Sequence, residues 1–258
     1  LSLVEISSRD HVATVTLNRP EALNAISGEM ADELGGAVLQ AAASPDTWVV
    51  VLAAAGEKAF CVGADLKERG GLDDAGWWRN RVRMRAMFEA VRSIPQPTIA
   101  SVFGFALGGG FELALSCDLI VAAGGTQLGL PEVRVGIIPG GAGTQLVARK
   151  VGTARAKELI LTARRVSAEE ALGWGLVNRV VPRAQLEEGT TELAAELCRN
   201  SPVSLLEAKK AIDRGIEVPL EHGIEIEDAG WRTAVASEDR REGIAAFNEK
   251  RDPNWKGR

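Results

Sequence analysis

The stretch from Pro97 to Gln145 constrains this chain more than any other, because two glycine clusters, Gly108-Gly109-Gly110 and Gly140-Gly141, bracket two isolated glutamates, Glu112 and Glu132. Thr98 to Val102 is apolar and β-branched enough for a buried strand. Phe111 to Cys117 has helical apolar spacing, and Asp118 to Ala122 reads as a second strand. Strand, crossover helix and strand is the βαβ order of a sheet with helices packed on it. Trp48 to Ala53 (WVVVLA) is apolar on both faces and fits the same sheet as a strand covered on both sides. The first glycine cluster opens a helix, so its N–H groups are predicted to lie unpaired and to attract negative charge. Two carboxylates beside such a backbone form a candidate acid/base site.

Around this centre the chain reads as strand Val12 to Leu17, a break at Asn18-Arg19-Pro20, and a helix from Glu29 to Ala43. The small-residue segment Phe60 to Lys67 lets backbone approach a ligand closely. A helix from Trp77 to Ile94 ends at Ile94-Pro95-Gln96-Pro97, since a residue before proline is pushed out of the helical region. Its Arg79, Arg81, Arg83 and Arg85 recur at every second residue, which on a helix spreads them round the axis and predicts a solvated face. Beyond Gln145 helices are expected at Arg155–Leu161, Ala168–Gly173, Gln185–Arg199, Val203–Ile216, Leu220–Val235 and Arg240–Asn248. Asn200-Ser201-Pro202 marks a boundary, with Ser201 as N-cap and Pro202 at the first helical position. Residues 1–200 are therefore expected to form an α/β core and 201–258 a helical C-terminal region.

Composition narrows the chemistry. The 258 residues carry a net charge of −5, which speaks against a general polyanion-binding surface. Cys61, Cys117 and Cys198 are odd in number, lie far apart and have no histidine nearby, so neither a disulfide framework nor a metal site is expected. The two histidines, His11 and His222, sit in surface-like contexts, and there is no tyrosine. Histidine- and tyrosine-based mechanisms are poorly supplied, and carboxylates are left for proton transfer. A G-x-G-x-x-G nucleotide loop started at Gly108 or Gly141 would require glycine where Leu113 and Leu146 stand, and no G-K-[ST] follows either cluster. No apolar run approaches a membrane span and no signal segment precedes Leu1, so a cytoplasmic location is expected, or the mitochondrial matrix if a transit peptide has been removed.

The segments FCVGADLKE, ALGGGFELALSCDL, LPEVRVGIIPGGAGTQ and FNEKRDPNWKG, in this order along nearly the whole chain, resemble the crotonase superfamily, and within it the enoyl-CoA hydratases. The tail and the LKER and AKELI stretches look closest to 3-methylglutaconyl-CoA hydratases. The resemblance implies a spiral of ββα units with a C-terminal helical trimerisation region, in a homotrimer or a dimer of trimers. It implies an oxyanion hole made by the N–H groups of Ala64 and Gly109, with Glu112 and Glu132 as the acid/base pair that activates water. Val62, Asp65, Leu66 and Lys67 match the CoA-binding turn, Gly140 the glycine near the second glutamate, and Phe247 and Lys250 tail residues that approach CoA. No separate cofactor is implied, because coenzyme A enters as part of an acyl-CoA thioester. Isomerases of the superfamily typically need one of the two carboxylates, and both are present. An RNA-binding relative uses a lysine-rich helix; the matching stretch here, Glu29 to Ser44, has no Lys or Arg, so nucleic acid is not an expected partner. The region Gly70 to Ala90, with Trp77, Trp78 and the arginines, is expected to line the acyl pocket and to set chain size or read a second carboxylate.

Overall fold

The structure is a computed structural model and describes residues 2–258. Among them, six strands form the main sheet in the spatial order β1 (Val4–Arg9), β2 (Val12–Leu17), β3 (Val49–Ala54), β4 (Thr98–Val102), β6 (Leu119–Ala123) and β9 (Arg179–Val181). A smaller sheet joins β5 (Phe105–Leu107), β7 (Gln127–Gly129) and β8 (Arg165–Ser167). All pairings are parallel except β1 with β2 and β7 with β8. β4 and β6 each belong to the large sheet, and the strand that follows each, β5 or β7, belongs to the small one before the chain enters a helix. This repeated strand–strand–helix turn is the spiral of ββα units.

Residue chemistry explains the layers. Along β3, Val49 and Val51 face one apolar cluster with Leu186 and Leu193, while Val50 and Leu52 face the other. The strand is thus covered on both sides, as its continuous apolar run predicts. α1 (Gly28–Ala43) is N-capped by Ser27, whose hydroxyl accepts from the Met30 N–H at 3.1 Å, and buries Met30, Leu34, Val38 and Ala41 on one stripe. α2 (Leu66–Gly70) and α3 (Asp74–Arg92) follow β3, and α4 (Gly109–Leu115) follows β5. Next come α5 (Gly143–Leu161), α6 (Ala168–Trp174) and α7 (Leu186–Cys198). The C-terminal region is α8 (Pro202–Gly215), α9 (Leu220–Ala236) and α10 (Glu238–Glu249), with Ser201 capping α8 and Pro202 at its first position. Lys209 of α8 ties this region to the core: its Nζ donates to the Gln96 carbonyl at 2.9 Å and to Asp118 Oδ2 at 2.7 Å.

Three expectations need correction. The helix anticipated from Arg155 begins at Gly143, because Gly152 (φ 79°, ψ 163°) kinks it midway and splits its apolar repeat. Asp118 is not in a strand; its carboxylate accepts from the Thr98 N–H at 2.7 Å and hydroxyl at 2.9 Å, pinning the start of β4. β1 was not anticipated as a strand, and it reaches β2 through Asp10 and His11, both at positive φ as a two-residue hairpin turn requires. Among the described residues no helix is long and apolar enough to cross a membrane.

Candidate active site

Two loops meet at the backbone of Gly63 and Gly108-Gly109. Gly63 has φ 92°, and a Cβ there would stand 2.9 Å from the Leu107 carbonyl oxygen and 3.0 Å from the Gly109 nitrogen. Only a residue without a side chain lets the segment Val62 to Asp65 come this close to the start of α4. The loop is held from behind. The Ile26 N–H donates to the Gly63 carbonyl at 2.8 Å and the Asp65 N–H to the Ile26 carbonyl at 2.9 Å. Between those bonds the Ala64 N–H has no protein acceptor among the described residues. Neither has the Gly109 N–H, which is the first of α4.

Glu112 sits in the first turn of α4 with its side chain only 2% exposed. Its Oε1 accepts the N–H groups of Gly141 at 2.7 Å and Gly143 at 2.8 Å. Burial pushes its pKa up, and the backbone donors of Gly143, Gly141 and Gly140 oppose that shift. Glu132 opens a one-turn 3-10 helix, Glu132–Val135, after Pro131. Its Oε1 lies 3.1 Å from where a Cβ of Gly108 would stand, so the second glutamate faces the same glycine turn. Its buried Oε2 has no hydrogen-bond partner. Burial is the largest cause that pushes its pKa up, to about 7; Glu112 adds to the rise while Glu132's own backbone N–H and Arg69 oppose it. The two carboxylates therefore differ. One is tied down by two N–H donors, and the other is raised and keeps an oxygen free for a ligand.

The remaining expected residues are placed as follows. Val62 and Ala64 are half-buried in the turn, while Leu66 and Lys67 are exposed at the start of α2. The Asp65 carboxylate is already engaged: it caps α2 through the Lys67 and Glu68 N–H groups at 3.0 and 3.2 Å and pairs with Arg19 at 2.7 Å. The Arg19 guanidinium, ahead of burial that opposes it, holds that carboxyl below its ordinary range. Gly140 accepts a hydrogen bond at its carbonyl from Arg81 at 2.7 Å. Phe247, 83% exposed, and Lys250, the left-handed cap of α10, lie on the tail, and no hydrogen bond joins either to the turn or to Gly140. Within one chain the structure does not bring these two to the rest of the site. Trp78 is 73% exposed and Trp77 38%, at the outer part of α3.

Sequence reasoning missed the supporting arginines. Arg19 and Asn24 brace the Ala64 loop: the Asn24 amide donates to the Ala55 and Ala59 carbonyls, each at 3.0 Å, and its oxygen accepts the Arg19 N–H at 2.9 Å. On α3 the expected solvated face is only part of the account. Arg79 and Arg83 pair outward with Asp73 and Asp32, but Arg81 and Arg92 donate to the carbonyls of Gly140 and Gly141, the latter at 3.1 Å. The available signal was the spacing Arg81, Arg85, Phe88 and Arg92, one stripe of a helix at three- and four-residue steps. Among the described residues no group of three or more His, Cys, Asp or Glu is placed to hold a metal ion.

The enoyl-CoA hydratase/isomerase family profile matches residues 7–258. A putative enoyl-CoA hydratase/isomerase of Bacillus subtilis (strain 168), YngF, is 42% identical over 256 residues, covering 99% of this chain and 98% of that protein. The mitochondrial methylglutaconyl-CoA hydratase of Rattus norvegicus is 38% identical over 250 residues, covering 95% of this chain and 79% of that one. Among solved structures, the enoyl-CoA hydratase of Bacillus anthracis superposes with a TM-score of 0.97 at 43% identity, with both chains covered completely.

Proposed function

This chain belongs to the enoyl-CoA hydratase/isomerase family, and within it we propose a hydro-lyase that adds water across the C2–C3 double bond of a trans-2-enoyl-CoA to give the 3-hydroxyacyl-CoA. The observation that carries this reading is the meeting of two carboxylates, Glu112 and Glu132, beside the Ala64 and Gly109 N–H groups that no protein acceptor uses. Attack of water at C3 places negative charge on the thioester oxygen, and two fixed backbone donors stabilise it where it develops. Glu112, held by two N–H bonds, takes the proton from the attacking water. Glu132, with its raised pKa and free oxygen, gives a proton to C2. Both groups act from one side of the substrate, so addition is syn. Coenzyme A enters as part of the substrate, along the turn Val62 to Lys67, and no other cofactor is invoked. Phe247 and Lys250 reach a neighbouring copy's CoA in a trimer or dimer of trimers, consistent with their exposure and their separation from this chain's own turn.

Turnover of a short trans-2-enoyl-CoA and of the matching 3-enoyl-CoA in isotopically labelled water tests this. Label at C3 of the product is expected from the 2-enoyl ester, with Glu112→Gln and Glu132→Gln each slowing turnover by about 10²- to 10⁴-fold. A label-free shift of the double bond as the sole activity would assign the chain to the isomerase branch of the family instead.

A further inference from the structure

Behind the Gly140-Gly141 turn lies a cavity of about 280 Å³ whose walls include Arg81, Arg85, Phe88, Arg92 and Thr144. The three guanidiniums share a stripe of α3 and face the same space. None of them forms a salt bridge among the described residues, in contrast to Arg79 and Arg83 on the same helix. Arg81 and Arg92 have one backbone carbonyl each, and Arg85 has no hydrogen-bond partner. Gathering three cations round one recess without a carboxylate is unfavourable in the empty protein; burial, and the charge of Arg85 among its neighbours, hold the Arg92 pKa below its ordinary value. A cavity arranged in this way is complementary to an anion, and a guanidinium fork suits a carboxylate in particular.

The recess shares walls with the catalytic site. Phe88 is 3.6 Å from where a Cβ of Gly109 would stand, and its ring fills the space a side chain at Gly141 would need, with contacts from 2.5 Å. The Gly141 peptide gives its N–H to Glu112 and its carbonyl to Arg92, so one peptide separates the proposed base from a guanidinium. Gly140 has no side chain to block the way between them.

Resting on the hydratase reading above, we propose that this recess takes the far end of the acyl group and that the preferred substrate is a short 2-enoyl-CoA carrying a carboxylate at that end, read by Arg85 with Arg81 and Arg92. A neutral acyl chain of equal length leaves the guanidiniums without a counter-charge and reacts less efficiently.

The experiment compares kcat/KM for a 2-enoyl-CoA with a terminal carboxylate and for a neutral 2-enoyl-CoA of the same length, in the wild type, Arg85→Met and Arg85→Lys. In parallel, binding of glutaryl-CoA and of butyryl-CoA, which cannot be hydrated, is measured by calorimetry. The wild type is expected to favour the anionic ester. Arg85→Met is expected to lower that preference by about 10- to 100-fold, the range for one hydrogen bond to a charged group, and Arg85→Lys to restore part of it. The glutaryl over butyryl binding preference should fall in parallel. A wild type that hydrates the neutral ester at least as well and binds both saturated thioesters alike would overturn the proposal, as would an Arg85→Met variant in which both preferences persist. If neither ester is hydrated while the Arg85-dependent binding preference stands, the hydratase reading fails and the anion recess remains.

Discussion

Glu132 is the residue whose environment has the most direct consequence in solution. Its carboxyl is pushed up to about 7 and serves as the acid, so it must be protonated to act. We expect kcat/KM to fall as pH rises through about 7 and the Glu132→Gln variant to lose that limb of the profile; a wild-type profile flat from pH 6 to 8 would remove Glu132 as the acid. The same shift bears on stability with a definite sign. In the native protein the group keeps a proton that the unfolded chain has released above its ordinary value, so its contribution declines from that value upward and is lost as pH passes about 7. At this scale Glu112 and Glu132 stand out in the sequence because each is an isolated charge among glycine, proline and apolar neighbours. Their supports do not stand out, since Arg81 meets Gly140 across a separation of 59 residues and no local pattern announces a contact of that range. Arg19, likewise, reads in the sequence as part of a strand break, and only the fold shows that it holds Asp65.

The short helix α4 and the strand pairings around it depend on glycine for a reason of space. A Cβ on Gly110 would fall on the Cys61 carbonyl, at the bridge where Cys61 runs parallel to Ala106. Gly36, on the exposed side of α1, has nothing within 4 Å of its missing Cβ. The two sites should therefore respond oppositely to one substitution. Gly110→Ala is expected to destabilise by about 1–3 kcal/mol or more through overpacking, and Gly36→Ala to stabilise by up to about 1 kcal/mol through helix propensity. Urea melts of the two variants check this; equal effects would show that α4 is less tightly seated than described. Long elements such as β3, α1 and α3 were legible because each carries several periods of its pattern. β5, β7, β8 and β9 span three residues each, too short for any period to register, and they exist because parallel neighbours supply their hydrogen bonds. The first half of α5 escaped notice because the turn at Gly152 cuts the repeat.

For the whole molecule, α8 to α10 leave Ile212, Ile216, Leu220, Ile224 and Trp231 more than half exposed, an apolar face that suits contact between copies. Sedimentation should give a mass that is a multiple of three chains, and the pair Ile216→Asp and Ile224→Asp should shift it toward the single chain; a wild type that sediments as a monomer at micromolar concentration would overturn the trimer proposal. The boundary at Asn200-Ser201-Pro202 was readable from capping chemistry alone, whereas the way the tail is fastened was not, because Lys209 reaches Asp118 from 91 residues away. That fastening has an order built into it. Asp118 Oδ2 accepts from Thr98 and from Lys209 together, so the ammonium finds its full acceptor set only when β4 and the turn before β6 have already come side by side. α8 is thereby docked by a core that has closed, and a chain whose sheet is misassembled holds its sticky surface loosely instead of displaying it in register. The lysine acts as a checkpoint between folding and assembly, written into three hydrogen bonds on one carboxylate oxygen.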